Sequence, residues 1–174
     1  MSERLNDIMI RAAELAENAV EFYETAVSDC PEGVSKEVFQ ALLDDEADHL
    51  ARIREMQEGL AQGESFKSVC CLDEEEQVED VEFAFRRIVE EYEPTEASSE
   101  EEDAIKAGAD IEQVSVDFYE DWVEEAEDDQ ESDFSEQVAE EKRARLAVLQ
   151  DLEYYLDDPE GWALSVGKGS LEGV

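Results

Sequence analysis

The only histidine of the chain, His49, follows Glu46 by three residues, and both fall on the apolar stripe of one helical segment. Glu46 lies seven positions after Phe39 and seven before Ile53, which puts it on the inward face. A carboxylate and an imidazole one turn apart on the same face can both reach a single metal ion. Glu112 occupies a comparable position among Ile105, Gly108, Ile111, Ser115 and Phe118, and Glu141 lies three residues after Val138. Carboxylates sharing one core repel each other and resist ionisation unless a cation or a proton compensates them. The four candidate ligands are therefore Glu46, His49, Glu112 and Glu141, an oxygen and nitrogen set that suits iron or manganese. The alternative for each is ordinary. A marginal Glu swings its carboxylate to solvent, and a core His is hydrogen-bonded. Tyr23 and Tyr119 read as core residues with polar tips.

Helical periodicity must supply the scaffold, because apolar residues recur at helical spacing in four long segments and nothing alternates with period two over a strand's length. The first helix is expected from about Asn6 to Val27, striped by Ile8, Ala12, Leu15, Ala19, Phe22 and Ala26. Ser28 to Gly33 breaks it, and a second helix from about Lys36 to Leu60 follows, with Ser35 as its N-cap. Residues 61–98 form a crossover with the acidic run Asp73 to Glu76 and a shorter helical stretch near Val81 to Tyr92. Ser99 with Glu102 has the spacing of a capping box and opens a third helix to about Glu125. A polar turn from Asp128 to Asp133 precedes the fourth, about Phe134 to Leu156. Pro159 and Gly161 then release a tail, residues 157–174, containing Trp162 and Leu171.

An internal repeat ties these helices together. With Phe22 set on Phe118, 96 residues on, Ala13 falls on Ala109, Val20 on Val116, Tyr23 on Tyr119, Glu24 on Glu120 and Val27 on Val123. In the later helices Phe39 matches Phe134 and Glu46 matches Glu141 at an offset of 95, whereas setting Leu149 on Ile53 places Lys142 and Arg145 at the ligand positions. The expected fold is all-α, a ferritin-like four-helix bundle of two repeated helical hairpins joined by a long crossover, in one domain over residues 1–174.

Composition narrows the partners. The 174 residues carry 52 Asp+Glu against 13 Lys+Arg, a net charge of −39, which repels nucleic acid and anionic membrane surfaces. No apolar run approaches the roughly 18 residues of a membrane span. Met1 to Arg4 opens no signal-like pattern, so a cytoplasmic location is expected. High charge alone would allow disorder, and the stripes and repeat argue against it. Cys30, Cys70 and Cys71 include no C-x-x-C pair and read as reduced thiols.

Two helices carrying Glu/Asp-Phe-Tyr, the segment FQALLDDEADHL, and YLDDPEGW followed by Leu-Glu-Gly resemble the rubrerythrin-like branch of the ferritin-like superfamily over nearly the whole chain. The resemblance implies a four-helix bundle around a di-iron or related centre that handles peroxide or oxygen. Its ligands would be one Glu from each of the first and third helices and Glu-x-x-His from the second and fourth. Glu46, His49 and Glu112 match; Ala16 stands where the first Glu belongs, and the fourth helix offers Glu141 with Ala144 in place of the second His. Two readings follow. One is an iron-binding redox protein with a degenerate mono- or di-iron site, fed by a separate electron donor because the chain has no cysteine pairs for a rubredoxin-like module. The other is a non-catalytic bundle serving as a structural or interaction module. A homodimer is expected from the resemblance and from an exposed aromatic tail around Trp162.

Overall fold

A computed structural model describes residues 2–70 and 80–169, with side chains through residue 166. Cys71, the acidic run 73–76 and Leu171-Glu172-Gly173 lie outside the described residues. Among the described residues the chain is all-helical, in seven helices: α1 (Glu3–Asp29), α2 (Val34–Ala61), α3 (Phe66–Val69), α4 (Val81–Glu91), α5 (Ser99–Glu125), α6 (Asp129–Asp157) and α7 (Pro159–Gly169).

The four long helices pair as two antiparallel hairpins. The start of α1 lies beside the end of α2, where the Gln57 amide donates to the Met9 carbonyl at 3.0 Å. At the junction of the other hairpin, Trp122 Nε1 donates to Glu131 at 3.4 Å. Helix α1 also packs on α5, while α4 fills the space between α2 and α6 with Val81, Ala84, Phe85 and Ile88. Five alanines on the buried side of α1, at positions 12, 13, 16, 19 and 26, give it a narrow face.

Helix ends are displaced from the sequence expectation for identifiable reasons. The N-cap of α2 is Gly33, not Ser35: Gly33 has φ +152°, which favours glycine, and the helix begins directly after it. Ser35 lies buried inside the first turn. The capping box of α5 is Ser98 with Glu101, one residue ahead of Ser99 and Glu102. Residues 129–133 are helical rather than a turn, because Asp128 caps α6 through the Glu131 amide at 2.9 Å and the acidic first turn complements the helix dipole.

Residues 159–169 form a helix, not a released tail. Pro159 opens α7, a position where its missing N–H costs nothing. The Gly161 amide donates to Asp158 at 2.9 Å, and any side chain at 161 would collide with that carboxylate. Trp162 is buried, 7% exposed, with its ring edge-on to Phe85 and Tyr155 at centroid distances of 5.6 and 5.2 Å. The aromatic surface expected to serve a homodimer is thus spent within the chain. No described helix is long and apolar enough to cross a membrane.

The apolar interior is in two parts. One contains Tyr23, Phe39, Leu42, Ile105, Leu149 and Trp162; the other contains Met9, Ile53, Met56, Tyr119, Trp122 and Phe134. On every long helix the residues between the two parts are those nearest positions 16, 46 to 49, 112 and 142 to 145. Apart from Ala16 they form a polar layer across the middle of the molecule.

Candidate functional site

The layer is built by a register that runs unbroken through both hairpins. At a constant offset of 96, Leu42 corresponds to Val138, Ile53 to Leu149 and Met56 to Leu152, and all six are buried. The same offset sets Glu46 on Lys142 and His49 on Arg145, and these four are buried too. Of the two registers open in the sequence, the structure adopts the one that puts cations in the core. Glu141 is one residue, about 100° of helix, away from the inward face. Its side chain is 29% exposed and pairs with Arg52 at 2.8 Å. Glu46, His49 and Glu112 enter the layer, and Glu141 stays at its margin.

Glu46 is enclosed by the opposite hairpin. Lys142 Nζ donates to its two oxygens at 2.6 and 2.5 Å, and Arg145 Nη1 donates to Oε2 at 2.5 Å. Arg145 Nε reaches back to Asp45 at 2.5 Å. Burial works against the Arg145 charge, yet Glu46 and Asp45 overcome it and hold its pKa above the ordinary arginine value. Glu112 accepts from the Tyr23 hydroxyl at 2.7 Å, and its Oε2 lies 3.9 Å from Lys142 Nζ with no hydrogen bond of its own. Burial raises the Glu112 carboxyl; Lys142 opposes that rise and Glu46 adds to it.

His49 has one tautomer available. Arg52 Nη2 lies 2.9 Å from Nδ1, and a guanidinium only donates, so Nδ1 carries the lone pair. Nε2 therefore bears the proton and donates to the Tyr119 hydroxyl at 3.1 Å. Burial, followed by the charges of Lys142, Arg145 and Arg52, holds the imidazole well below its usual pKa, and it is neutral. Burial also raises both tyrosines, so each keeps its hydroxyl proton.

These donors do not fit a metal. Both oxygens of Glu46 face ammonium and guanidinium groups, Nδ1 of His49 is capped by Arg52, and Nε2 is protonated. A divalent ion here would sit beside Lys142 and Arg145, where each pair of like unit charges near 4 Å costs about 4 kcal/mol even at an effective dielectric constant of about 20. Among the described residues no group of three or more His, Cys, Asp or Glu side chains is placed to hold a metal ion. The arrangement is instead a charge-compensated layer in which Lys142 and Arg145 supply the cation that buried Glu46 requires.

Lys142, Arg145, Asp45 and Arg52 complete the layer and lie outside the four candidate ligands; the constant 96-residue offset points to Lys142 and Arg145, and no sequence signal marks Asp45 or Arg52. Cys30 is buried, and burial raises its thiol, which keeps it protonated and unreactive. In comparisons with known proteins the chain matches no family model, no curated protein and no solved structure.

Proposed function

We propose that this chain is a ferritin-like four-helix bundle of the rubrerythrin type in which ion pairs have replaced the metal centre, and that it serves as a metal-independent structural or interaction protein. The observation that carries the reading is the pairing of Lys142 and Arg145 with Glu46 from positions that correspond to Glu46 and His49 in the repeat. Four helices of 27, 28, 27 and 29 residues in two antiparallel hairpins, linked by a crossover, support the bundle. The iron-binding redox reading would require Lys142 and Arg145 to leave the layer, and each is held by a buried carboxylate.

Metal analysis of protein grown with iron and manganese and purified without chelator tests this. Metal well below one ion per chain is expected, with a Tm indifferent to chelator. Stoichiometric metal that disappears in Glu46→Ala and His49→Ala variants would overturn the reading. A constructive control copies each half onto the other. The combined variant Ala16→Glu, Lys142→Glu, Arg145→His should take up divalent metal stoichiometrically and be stabilised by it.

A further inference from the structure

We propose that Lys142 and Glu46 condense to an amide bond formed by the protein itself, with Glu112 as the proton carrier, so that α2 and α6 are covalently joined through the core. The proposal rests on the reading that cations fill this layer, and goes beyond it in giving the layer a reaction.

Four features of the geometry point to it. First, Nζ touches both oxygens of Glu46, at 2.6 and 2.5 Å, so the two reacting groups are held against each other as one fixed pair and need only a local rotation to bring the amine over the carboxyl carbon. Second, the two side chains are 1% and 0% exposed, so water competes poorly as nucleophile or as hydrolytic agent. Third, Arg145 Nη1 lies 2.5 Å from Oε2, where it withdraws charge from the carboxylate and faces the oxyanion of a tetrahedral intermediate. Fourth, Glu112 has one oxygen fixed by Tyr23 and the other lying free of hydrogen bonds 3.9 Å from Nζ. It is the one other fully buried carboxyl in the layer, placed to take a proton from the amine and return it to the departing oxygen.

The step balances without an outside reagent. The ammonium passes one proton to the Glu112 carboxylate, which hands it to Oε1 of Glu46, and the freed amine attacks the carbon of the neutral carboxylic acid so formed. The new C–N bond makes a tetrahedral intermediate whose single oxyanion, Oε2, faces Arg145. Glu112 then carries the proton lost from nitrogen to the Oε1 hydroxyl, which departs as water as the carbonyl re-forms. One ammonium and one carboxylate disappear together, leaving a neutral amide, and Arg145 keeps Asp45 as counter-ion. Replacing a desolvated ion pair by a neutral group removes the burial cost that such pairs carry.

Intact mass spectrometry of the full chain under denaturing conditions, followed by proteolysis and fragmentation, is the test. The expected mass is below the sequence mass by one water, with a branched peptide joining the segments around Glu46 and Lys142. Lys142→Arg keeps the cation but has no primary amine, and should show the full mass. Glu46→Gln should form the same bond with ammonia leaving instead of water. Glu112→Gln should leave most chains uncross-linked while both partners remain. A folded parent chain at full sequence mass, giving separate Glu46 and Lys142 peptides, overturns the proposal. That result leaves the metal-free reading standing, since metal content tests that reading alone. Cross-linking in Glu112→Gln at the parent's rate would overturn the assignment of the proton carrier.

Discussion

At the scale of single residues, the polar layer works because its buried charges and lone pairs have specific counterparts, Glu112 Oε2 being the exception. Removing Lys142 leaves the carboxylate of Glu46 with Arg145 alone and opens space beside Glu112. Lys142→Met, which keeps the length of the side chain, should therefore be less stable than Lys142→Arg, which retains the cation but cannot form the amide, by about 3 kcal/mol, the lower end for breaking a buried ion pair. The shift in denaturant midpoint at constant m measures it. His49 makes a different contribution. The unfolded histidine takes up a proton below about pH 6.5, whereas the folded one, depressed by burial and by Lys142, Arg145 and Arg52, does not. The unfolded state then binds more protons, so this stabilisation is complete above pH 6.5 and lost as the pH falls below it, by up to about 1.4 kcal/mol per unit. The raised carboxyl of Glu112 acts with the opposite sign, its contribution being lost as pH rises through its folded value, and it is common to both proteins in a comparison. His49→Gln offers a carbonyl to Arg52 and an amide to Tyr119. Its denaturant midpoint should lack the parent's fall between pH 6.5 and 5, and an unchanged slope would show that His49 is protonated in the folded state.

At the scale of elements, the helices and the repeat were legible because burial follows period 3.6 over long stretches, and Glu46, His49 and Glu112 were legible because they interrupt apolar stripes. The inward register of the fourth long helix was left open between two alternatives, and the reason is local. Phe134 and Ser135 are both buried, so aligning Phe39 with the larger of them slips the register by one residue and turns Glu141 inward in place of Lys142. Side-chain type misled as well, since a Glu-Lys-Arg-Ala-Arg run reads as a solvated face until the opposite carboxylates are known. The capping box shifted by one because Ser98 and Ser99 both precede a glutamate by three residues. The fate of α7 was hidden because, of its described apolar side chains, Trp162 is buried while Leu164 and Val166 are exposed, and the partners of Trp162, Phe85 and Tyr155, come from separate elements. Trp162→Ala should cost about 3 to 5 kcal/mol, as for a large aromatic truncated in a core. Its sedimentation behaviour should match the parent's, which distinguishes an intramolecular role from the dimer contact that the sequence suggested. A change in oligomeric state with little loss of stability would reverse that assignment.

At the scale of the whole molecule, the net charge of −39 is a property of the surface, because the buried acids among the described residues are only Glu46, Glu101, Glu112 and Glu131. Each of these has a partner or a cap: Glu101 closes the α5 capping box, and Glu131 takes bonds from Arg4 and Trp122. The remaining acids among the described residues crowd a surface that has few cations to offset them, and this self-repulsion disfavours the folded state more than the expanded one. Salt shortens the reach of that repulsion from about 10 Å at 0.1 M to about 3 Å at 1 M. Stability should therefore climb steadily as potassium chloride is raised from about 0.1 M to about 1 M. The polar layer behaves differently, since buried pairs are screened far less than exposed charges. The difference in stability between Lys142→Arg and Lys142→Met should stay nearly constant across the same series while both proteins gain. Parallel denaturation curves of the two proteins over that range separate the two kinds of electrostatics. A parent whose midpoint is flat or falling with salt would contradict the surface argument. A Lys142→Met penalty that vanishes at high salt would mean that the core pair is open to solvent.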